Sequence, residues 1–232
     1  MIFNVKNKKE LDIAALESVS FANNYNNYIF ELISEYVEGS NVLDFGAGYG
    51  QFTQFIQQKN KNVVAIEVNE KAISKLDELQ IPNYKSLDTL QKKFETVVSL
   101  NVLEHIDDDL SVLKELVSHL KNEGKIILYL PASKLVWSEL DELVNHKRRY
   151  STKLINNLAI GAELKIDKMF FVDFIGWAVL VISRIFRVNL DFSKKRIIFY
   201  DRFIFKNFKF LDVFFNKIIG KNLLIILSKN SN

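Results

Sequence analysis

The chain has 232 residues, of which 48% are hydrophobic, so it is long enough to bury the core of one domain. It contains no cysteine, which excludes disulfide frameworks and thiolate metal sites. The net charge of +3 is unevenly spread: residues 172–222 hold 10 Lys and Arg against 4 Asp and Glu, whereas residues 1–171 hold 20 against 24.

The sequence gives no sign of a secretory signal or a membrane span. Residues 1–9 alternate polar and apolar side chains and lack the apolar core of a signal peptide, so we expect none. The longest charge-free apolar run towards the C-terminus, 174–183, is ten residues, and a membrane-spanning helix needs about 20. We therefore expect a cytoplasmic protein.

The first predicted element is a helix over residues 24–37. Apolar and aromatic residues recur there close to the helical period, at Tyr25, Tyr28, Ile29, Ile33 and Val37. Because it precedes the glycine-rich stretch described next, we expect it beside or over a ligand site.

Residues 41–53 read as a short apolar strand, a glycine turn and the start of a helix. Glycine at every second position, at Gly46, Gly48 and Gly50, lets the backbone turn tightly and approach a ligand closely. A dinucleotide-binding Gly-x-Gly-x-x-Gly pattern would place its third glycine at position 51, which is Gln51. Asp44 stands two residues before the first glycine.

This Asp-x-Gly-x-Gly-x-Gly stretch resembles motif I of the class I S-adenosylmethionine-dependent methyltransferases. The resemblance implies an α/β, Rossmann-like doubly wound sheet, mostly parallel with an antiparallel last strand. It implies S-adenosylmethionine as cofactor and S-adenosylhomocysteine as product. The Tyr-Asn pair at 25–26 resembles a segment upstream of motif I in some of these enzymes, although a simple packing helix is an alternative. The implied cofactor-binding residues are Tyr25, Asp44, Phe45, Gly46, Ala47, Gly48 and Gly50.

A second buried strand, residues 62–68, ends at Glu67 and Val68. Glu67 follows Gly46 by 21 residues, close to the ~20-residue interval at which an acid accepts hydrogen bonds from ribose hydroxyls. Nicotinamide enzymes share this feature, so it predicts a nucleoside site without choosing the cofactor. Asn69 is expected to cap the next helix, through residue 79. After a short third strand near residue 84, Leu87 and Asp88 stand where these methyltransferases often carry an acid facing adenine.

The fourth predicted strand, residues 94–100, runs into Asn101 and Val102 and then Leu-Glu-His-Ile at 103–106. That motif resembles the small-molecule branch containing the ubiquinone-pathway O-methyltransferases. The resemblance implies that Asn101 and Val102 line the methyl-sulfonium pocket. His105 is a candidate for touching substrate or for a structural hydrogen bond. Asp107 to Asp109 are expected to cap the following helix.

After a turn at 122–124 and a fifth strand at 125–130, the chain contains Pro-Ala at 131–132, Asp141 and His-Lys-Arg-Arg-Tyr at 146–150. This pattern resembles a methyltransferase subset linked to glycolipid or polysaccharide pathways. The resemblance makes His146 a candidate catalytic base and Arg148, Arg149 and Tyr150 candidate acceptor contacts. Alternatively, Arg and Tyr tie the connection to Asp141 or to backbone carbonyls. The spacing of the three histidines predicts no metal site.

A helix over 151–160 and strands over 163–172 and 223–228 leave an insert at 172–222. Twelve of the 19 phenylalanines lie between positions 170 and 215, interleaved with Lys and Arg. This composition suits helices in a membrane interface, with basic groups towards anionic lipid. A helical lid and a homodimer interface are alternatives. Nucleic acid is disfavoured, because the apolar content is too high for a solvated groove.

We thus interpret residues 1–232 as one methyltransferase domain. It comprises an N-terminal cap region (1–39), a cofactor-binding core (40–171), the insert (172–222), and a last strand and tail (223–232). We expect O-methylation of a small aromatic, glycan or lipid-linked acceptor, with the inner membrane face as a further location. The alternatives are a nicotinamide oxidoreductase, disfavoured by Gln51 and by the lack of a Tyr-x-x-x-Lys pair, and a non-catalytic nucleoside-binding subunit of a complex.

Overall fold

The computed structural model describes residues 21–59, 61–188 and 193–230. Its centre is a seven-stranded sheet in the order β3-β2-β1-β4-β5-β7-β6. The strands are β1 (Asn41–Phe45), β2 (Asn62–Ile66), β3 (Asn83–Tyr84), β4 (Phe94–Leu100), β5 (Leu120–Pro131), β6 (Leu164–Val172) and β7 (Asn222–Lys229). Strands β1 to β5 pair in parallel, and β7 is antiparallel to both β5 and β6. The predicted fold class is confirmed.

Helices cover both faces of this sheet. They are α1 (Asn23–Ser34), α2 (Gln51–Gln57), α3 (Glu70–Glu78), α4 (Asp109–Ser118), α5 (Glu139–Leu143), α6 (Thr152–Gly161), α7 (Phe174–Ile185), α8 (Lys194–Phe199), α9 (Lys206–Phe208) and α10 (Asp212–Phe215). Short 3₁₀ turns occupy Leu87–Thr89, Leu103–His105, Lys134–Val136 and Lys209–Leu211, and Tyr200–Phe205 is a π-helical turn.

Two apolar cores lie on opposite faces of the sheet because side chains alternate along each strand. On one face, Leu43 and Val97 pack with Leu113 of α4 and Ile155 of α6. On the other face, residues one position along the same strands pack against α1 and α2. These neighbours are Val42, Val98, Ile29, Ile33, Phe52 and Ile56. Because β1 to β5 are parallel, their carboxyl ends lie at the same edge of the sheet, and this edge carries the glycine turn.

Two predicted boundaries differ from the observed ones by three residues or more. The predicted turn at 122–124 is extended chain within β5, which begins at Leu120. There the pairing with β4 shifts register between Phe94 and Thr96, so the extra residues form a bulge rather than ending the strand. Helix α1 ends at Ser34, short of the expected residue 37, and turns follow it.

The insert is helical and folds back over α1 at the carboxyl edge of the sheet. Asp201 is buried and accepts hydrogen bonds from the backbone nitrogens of Asn24 and Tyr25, at 3.0 and 2.8 Å. Phe205 is fully buried, with its ring edge-on to those of Tyr25 and Tyr28. The inner side of the insert is therefore packed as a lid would be, although its outer side is strongly apolar.

Candidate functional site

The glycine turn joins β1 to α2 in a conformation that favours glycine. Gly46, Gly48 and Gly50 all have positive φ, at 81°, 53° and 76°, a region that other L-residues avoid. The amides of Gly46 and Ala47 both donate to the carbonyl of Ile66 at the end of β2, at 2.8 and 3.1 Å. A Cβ added to Gly46 would collide with Val102. The turn is thus held against both neighbouring strands.

Glu67 lies directly beside this turn. One carboxylate oxygen accepts from the amide of Gly48 at 2.7 Å, and the other accepts from the amides of Val68 and Asn69, both at 2.8 Å. The side chain of Asn69 caps α3, as predicted, whereas Val68 is 74% exposed. The structure therefore brings the two strongest sequence signals, the glycines and the acid after β2, into direct contact.

Asp44 lies beneath the turn, buried at 2% exposure. It accepts a hydrogen bond of 2.5 Å from the hydroxyl of Thr53 on α2. Burial raises the pKa of Asp44 to about 7; the Thr53 hydrogen bond opposes this shift and the negative charge of Glu67 adds to it. Asp44 thus fastens the start of α2 to β1.

The other cofactor candidates lie along the same edge. Leu87 is buried and Asp88 is exposed in the 3₁₀ turn after β3, where Ser86 accepts from the Asp88 amide. Asn101 directly follows β4 and has a positive φ of 53°, and its amide donates to the carbonyl of Tyr129 at 2.8 Å. Phe45 is partly buried at the end of β1.

Tyr25 belongs to a polar cluster at this edge that the sequence did not predict. Its hydroxyl lies 2.9 Å from that of Tyr129, and the amide of Asn222 donates to these two hydroxyls at 3.1 and 2.8 Å. Burial raises the pKa of Tyr25 and that of Tyr129, so both are neutral phenols. The available signal was one tyrosine interrupting the apolar run of β5.

His146 is held by a buried carboxylate. Its Nδ1 lies 2.8 Å from Oδ1 of Asp141, and its Nε2 lies 3.7 Å from Oε1 of Glu104. The rings of His105 and His146 meet edge-on, with centroids 4.8 Å apart. Although burial alone raises the pKa of Asp141, hydrogen bonds from His146 and Arg149 outweigh it and hold that pKa at about 2. Asp141 is therefore an anion that orients the imidazole.

Arg148, Arg149 and Tyr150 are already engaged within the chain. Arg149 is 6% exposed, donates to both oxygens of Asp141 at 2.8 and 3.0 Å and also reaches the carbonyl of Ala132. The Tyr150 hydroxyl, fully buried, donates to Asp109 at 2.8 Å. Arg148 pairs with the same carboxylate at 2.7 Å. Arg149 therefore follows the alternative interpretation, in which it bonds to Asp141 and to a backbone carbonyl.

Sequence spacing also missed a grouping that the fold creates. Glu104, His105 and His146 bring one ligand atom each to within 4.8 Å of one another. Glu104 is fully buried, and burial raises its pKa to about 8. The sequence had predicted no metal-ligand cluster because 41 positions of chain separate the two histidines, and only tertiary packing brings them together.

Comparison with known proteins identifies the family. A model of the methyltransferase domain matches residues 21–163, well over half of the chain. The chain belongs to this methyltransferase family. The sequence-based assignment to the methyltransferases is therefore confirmed.

Curated relatives match over part of the chain. The chain is 29% identical over 101 residues to a ubiquinone biosynthesis O-methyltransferase of Pseudomonas aeruginosa. This alignment covers 39% of this chain and 44% of the relative. A protein of the same name from Pseudomonas entomophila is 28% identical over 111 positions, covering 43% and 47%. Each match thus spans less than half the length of the curated relative.

Solved structures share the fold at low identity. A Haloferax volcanii methyltransferase, solved with an activator, aligns with a TM-score of 0.65 at 13% identity over 97% of this chain and 98% of that one. A Clostridium acetobutylicum S-adenosylmethionine-dependent methyltransferase aligns with a TM-score of 0.56 at 14% identity over 90% and 92%. These likenesses establish the architecture from α1 to β7.

Proposed function

We propose that this protein transfers a methyl group from S-adenosylmethionine to an oxygen atom of a small aromatic, glycan or lipid-linked acceptor. The observation that carries the proposal is the contact between Glu67 and the amide of Gly48 at 2.7 Å. This contact places an acid suited to binding ribose hydroxyls directly beside the glycine turn, at the carboxyl edge of the parallel strands.

The residues at this edge fit S-adenosylmethionine. Glu67 is the acceptor for ribose hydroxyls, because a carboxylate can accept from two neighbouring hydroxyls. The glycine turn gives backbone approach to the methionine portion, Asp88 faces the adenine, and Asn101 and Val102 border the methyl group. Tyr25 closes the edge from α1. When bound, the cofactor supplies a methyl group on a positively charged sulfur. The acceptor oxygen bonds to the methyl carbon, the carbon–sulfur bond breaks to leave a neutral thioether, and the acceptor hydroxyl loses its proton.

The Asp141–His146 pair is assigned to the removal of the acceptor proton. Asp141 fixes Nδ1 of the ring at 2.8 Å, which leaves Nε2 for an acceptor hydroxyl. The ring of His105 contacts that of His146 and so borders the proposed position of the acceptor hydroxyl. Orientation of two bound reactants can account for roughly 7–11 kcal/mol of a reaction barrier.

Labelled methyl transfer tests this assignment. We expect transfer to phenolic or lipid-linked hydroxyl compounds, a kcat reduced by about 10²–10⁴ in His146→Ala, and unchanged affinity for S-adenosylhomocysteine. The matched control is His119→Ala, at the C-terminal end of α4. Transfer to amines instead of hydroxyls would overturn the acceptor class, and full activity in His146→Ala would overturn the base.

The insert is proposed to rest on an anionic membrane surface. Among the described residues, eleven of the fifteen exposed large hydrophobic side chains lie between positions 182 and 218, including Phe199, Phe203 and Phe214 at 57%, 60% and 67% exposure. Exposed cations adjoin them at Lys195, Arg202 and Lys206. An apolar face bordered by cations fits shallow contact with acidic lipid. Within the described ranges, no helix is long and apolar enough to span a bilayer.

Vesicle flotation tests the surface. Wild type is expected to float with phosphatidylglycerol vesicles and less with neutral ones, and Phe199→Ser/Phe203→Ser/Phe214→Ser is expected to remain unbound. The matched control is Ile160→Ser, which alters a side chain on α6 that is 75% exposed. Equal flotation of the triple variant would overturn the proposal. A wild type that stays unbound but elutes as a dimer would favour the homodimer interface.

A further inference from the structure

Three tyrosines meet where the insert covers the carboxyl edge of the sheet. Tyr25 comes from α1, Tyr129 from β5 and Tyr200 from the π-helical turn of the insert. The ring of Phe205 contacts those of Tyr25 and Tyr200, with centroids 5.0 and 6.4 Å away. Burial raises the pKa of Tyr200, and the charges of Asp173 and Tyr25 add to this shift. All three side chains are therefore protonated phenols, which donate as well as accept hydrogen bonds.

These phenols carry more protons than the neighbouring side chains accept. The bond between the hydroxyls of Tyr25 and Tyr129 uses one of their two protons, and Asn222 donates to both oxygens rather than accepting from them. The buried hydroxyl of Tyr200 has no hydrogen-bond partner within the described ranges. A buried donor without an acceptor is costly, so such groups are generally satisfied by a ligand or by water.

Lys221 adds further donors at the more open side of the cluster. Its ammonium lies 5.1 Å from the ring centre of Tyr25 and 2.8 Å from a carboxylate oxygen of Asp173, and its side chain is 31% exposed. This ion pair leaves two of the three N–H groups for another acceptor. Asp212 accepts from the amide of Asp173 at 2.8 Å, so two carboxylates adjoin the one cation. The cluster therefore suits an uncharged oxygen better than an anion.

The cluster adjoins the place assigned to methyl transfer. Asn101 follows β4, Tyr129 belongs to β5 and Asn222 begins β7, and these three strands are neighbours in the sheet. The Asn101 amide donates to the carbonyl of Tyr129 at 2.8 Å. Because neighbouring strands lie about 4.8 Å apart, roughly 10 Å separate Asn101 from Asn222. One small organic acceptor can span that distance.

We propose that Tyr25, Tyr129, Tyr200 and Lys221 bind an uncharged carbonyl or hydroxyl oxygen of the acceptor, at the end remote from the methylated oxygen. The inference rests on the proposed function, which places the methyl group beside Asn101. It makes the cluster a determinant of specificity. A hydrocarbon at this position leaves the buried donors unpaired, and a carboxylate there is repelled by Asp173.

Calorimetric titration of three probes into the protein loaded with S-adenosylhomocysteine tests this subsite without turnover. The probes share a phenol and differ at the far end: methyl 4-hydroxycinnamate has an uncharged carbonyl, 4-hydroxycinnamate a carboxylate and 4-propylphenol neither. We expect the ester to bind about tenfold more tightly than the other two, as one or two hydrogen bonds provide. Tyr200→Phe should weaken binding of the ester about fivefold and leave that of 4-propylphenol unchanged.

The matched control is Tyr28→Phe, on the same boundary between α1 and the insert. The Tyr28 hydroxyl donates to Asp212 at 3.0 Å, so its removal should lower the melting temperature and leave the three affinities unchanged. Tyr200→Phe should not lower the melting temperature, because it removes a hydroxyl that none of the described residues engages.

Equal affinities for the three probes would overturn the subsite, and so would binding of none of them. Tighter binding of the carboxylate, or an unchanged affinity for the ester in Tyr200→Phe, would also overturn it, and water would then be the partner of the surplus donors. Titration of S-adenosylhomocysteine separates this proposal from the proposed function. Its binding with equal probe affinities would contradict the subsite alone. A preference for the ester in a protein that does not bind it would contradict the proposed function alone.

Discussion

Arg149 and Asp141 form a buried, two-point ion pair. The guanidinium donates from Nε to Oδ1 at 2.8 Å and from its terminal nitrogen to Oδ2 at 3.0 Å, and the residues are 6% and 1% exposed. The same carboxylate holds His146. The ion pair therefore stabilises segment 131–150 and, through Asp141, also positions the candidate base His146.

Removal of one partner from this pair should be strongly destabilising. Arg149→Ala leaves the Asp141 charge buried, so we expect a loss of about 3–5 kcal/mol in the free energy of unfolding. Lys147→Ala is the control, because Lys147 pairs with the exposed Asp107 and surface pairs contribute only about 0–1 kcal/mol. Urea unfolding measures both values. Similar small losses in the two variants would show that Arg149 does not stabilise the connection.

Asp44 should make the stability of the protein depend on pH. Because its pKa is raised to about 7 in the folded protein, against the ordinary aspartate value of 3.8, the folded state binds the proton more tightly than the unfolded state does. Stability should thus be highest below pH 4 as far as this group is concerned, and decline as pH rises towards 7. The slope for one group reaches about 1.4 kcal/mol per pH unit.

Unfolding free energies from pH 4 to 8 test this prediction. Asp44→Asn should lose that decline and become more stable, relative to wild type, as pH rises. The control is Asp108→Asn. Hydrogen bonds from Ser111 lower the pKa of this exposed cap, so its charge does not change between pH 4 and 8. Parallel curves for wild type and Asp44→Asn would contradict the assignment.

Asp201 should hold the insert against α1. It is 2% exposed and accepts three hydrogen bonds from Asn24 and Tyr25, so Asp201→Ala leaves three half-buried donors without this partner. We expect a loss of about 1–3 kcal/mol and faster proteolysis within residues 193–215. Asp107→Ala, at an exposed acid, should resemble wild type. Unchanged proteolysis in Asp201→Ala would mean that other contacts fasten the insert.

The sequence predicted the elements whose signals are local. The glycine turn, the cap at Asn69 and the apolar strand β4 depend on residues within a few positions of one another, so pattern and turn chemistry sufficed. The start of β5 was misplaced because Gly124 signalled a turn, whereas pairing with β4 at Leu120 and again from Lys125 makes residues 121–124 a bulge within one strand. Tertiary context overrode local preference there.

The candidate site divides in the same way. Glu67 was predictable because its interval from Gly46 reflects one strand–helix–strand unit of fixed length. The meeting of Glu104 with His146 was not, because a helix, a strand and a long connection separate them. Burial decides their roles, and a single sequence does not show which polar residues lose contact with water.

Calorimetric titration of S-adenosylhomocysteine and NADH tests the central claim most directly. We predict micromolar binding of S-adenosylhomocysteine alone in wild type, weakened at least tenfold in Glu67→Ala, and retained in Glu78→Ala, which alters an exposed acid on α3. Melting curves confirm that each variant is folded. Binding of NADH instead would favour an oxidoreductase, binding of neither would favour a non-catalytic subunit, and full affinity in Glu67→Ala would remove the assigned site.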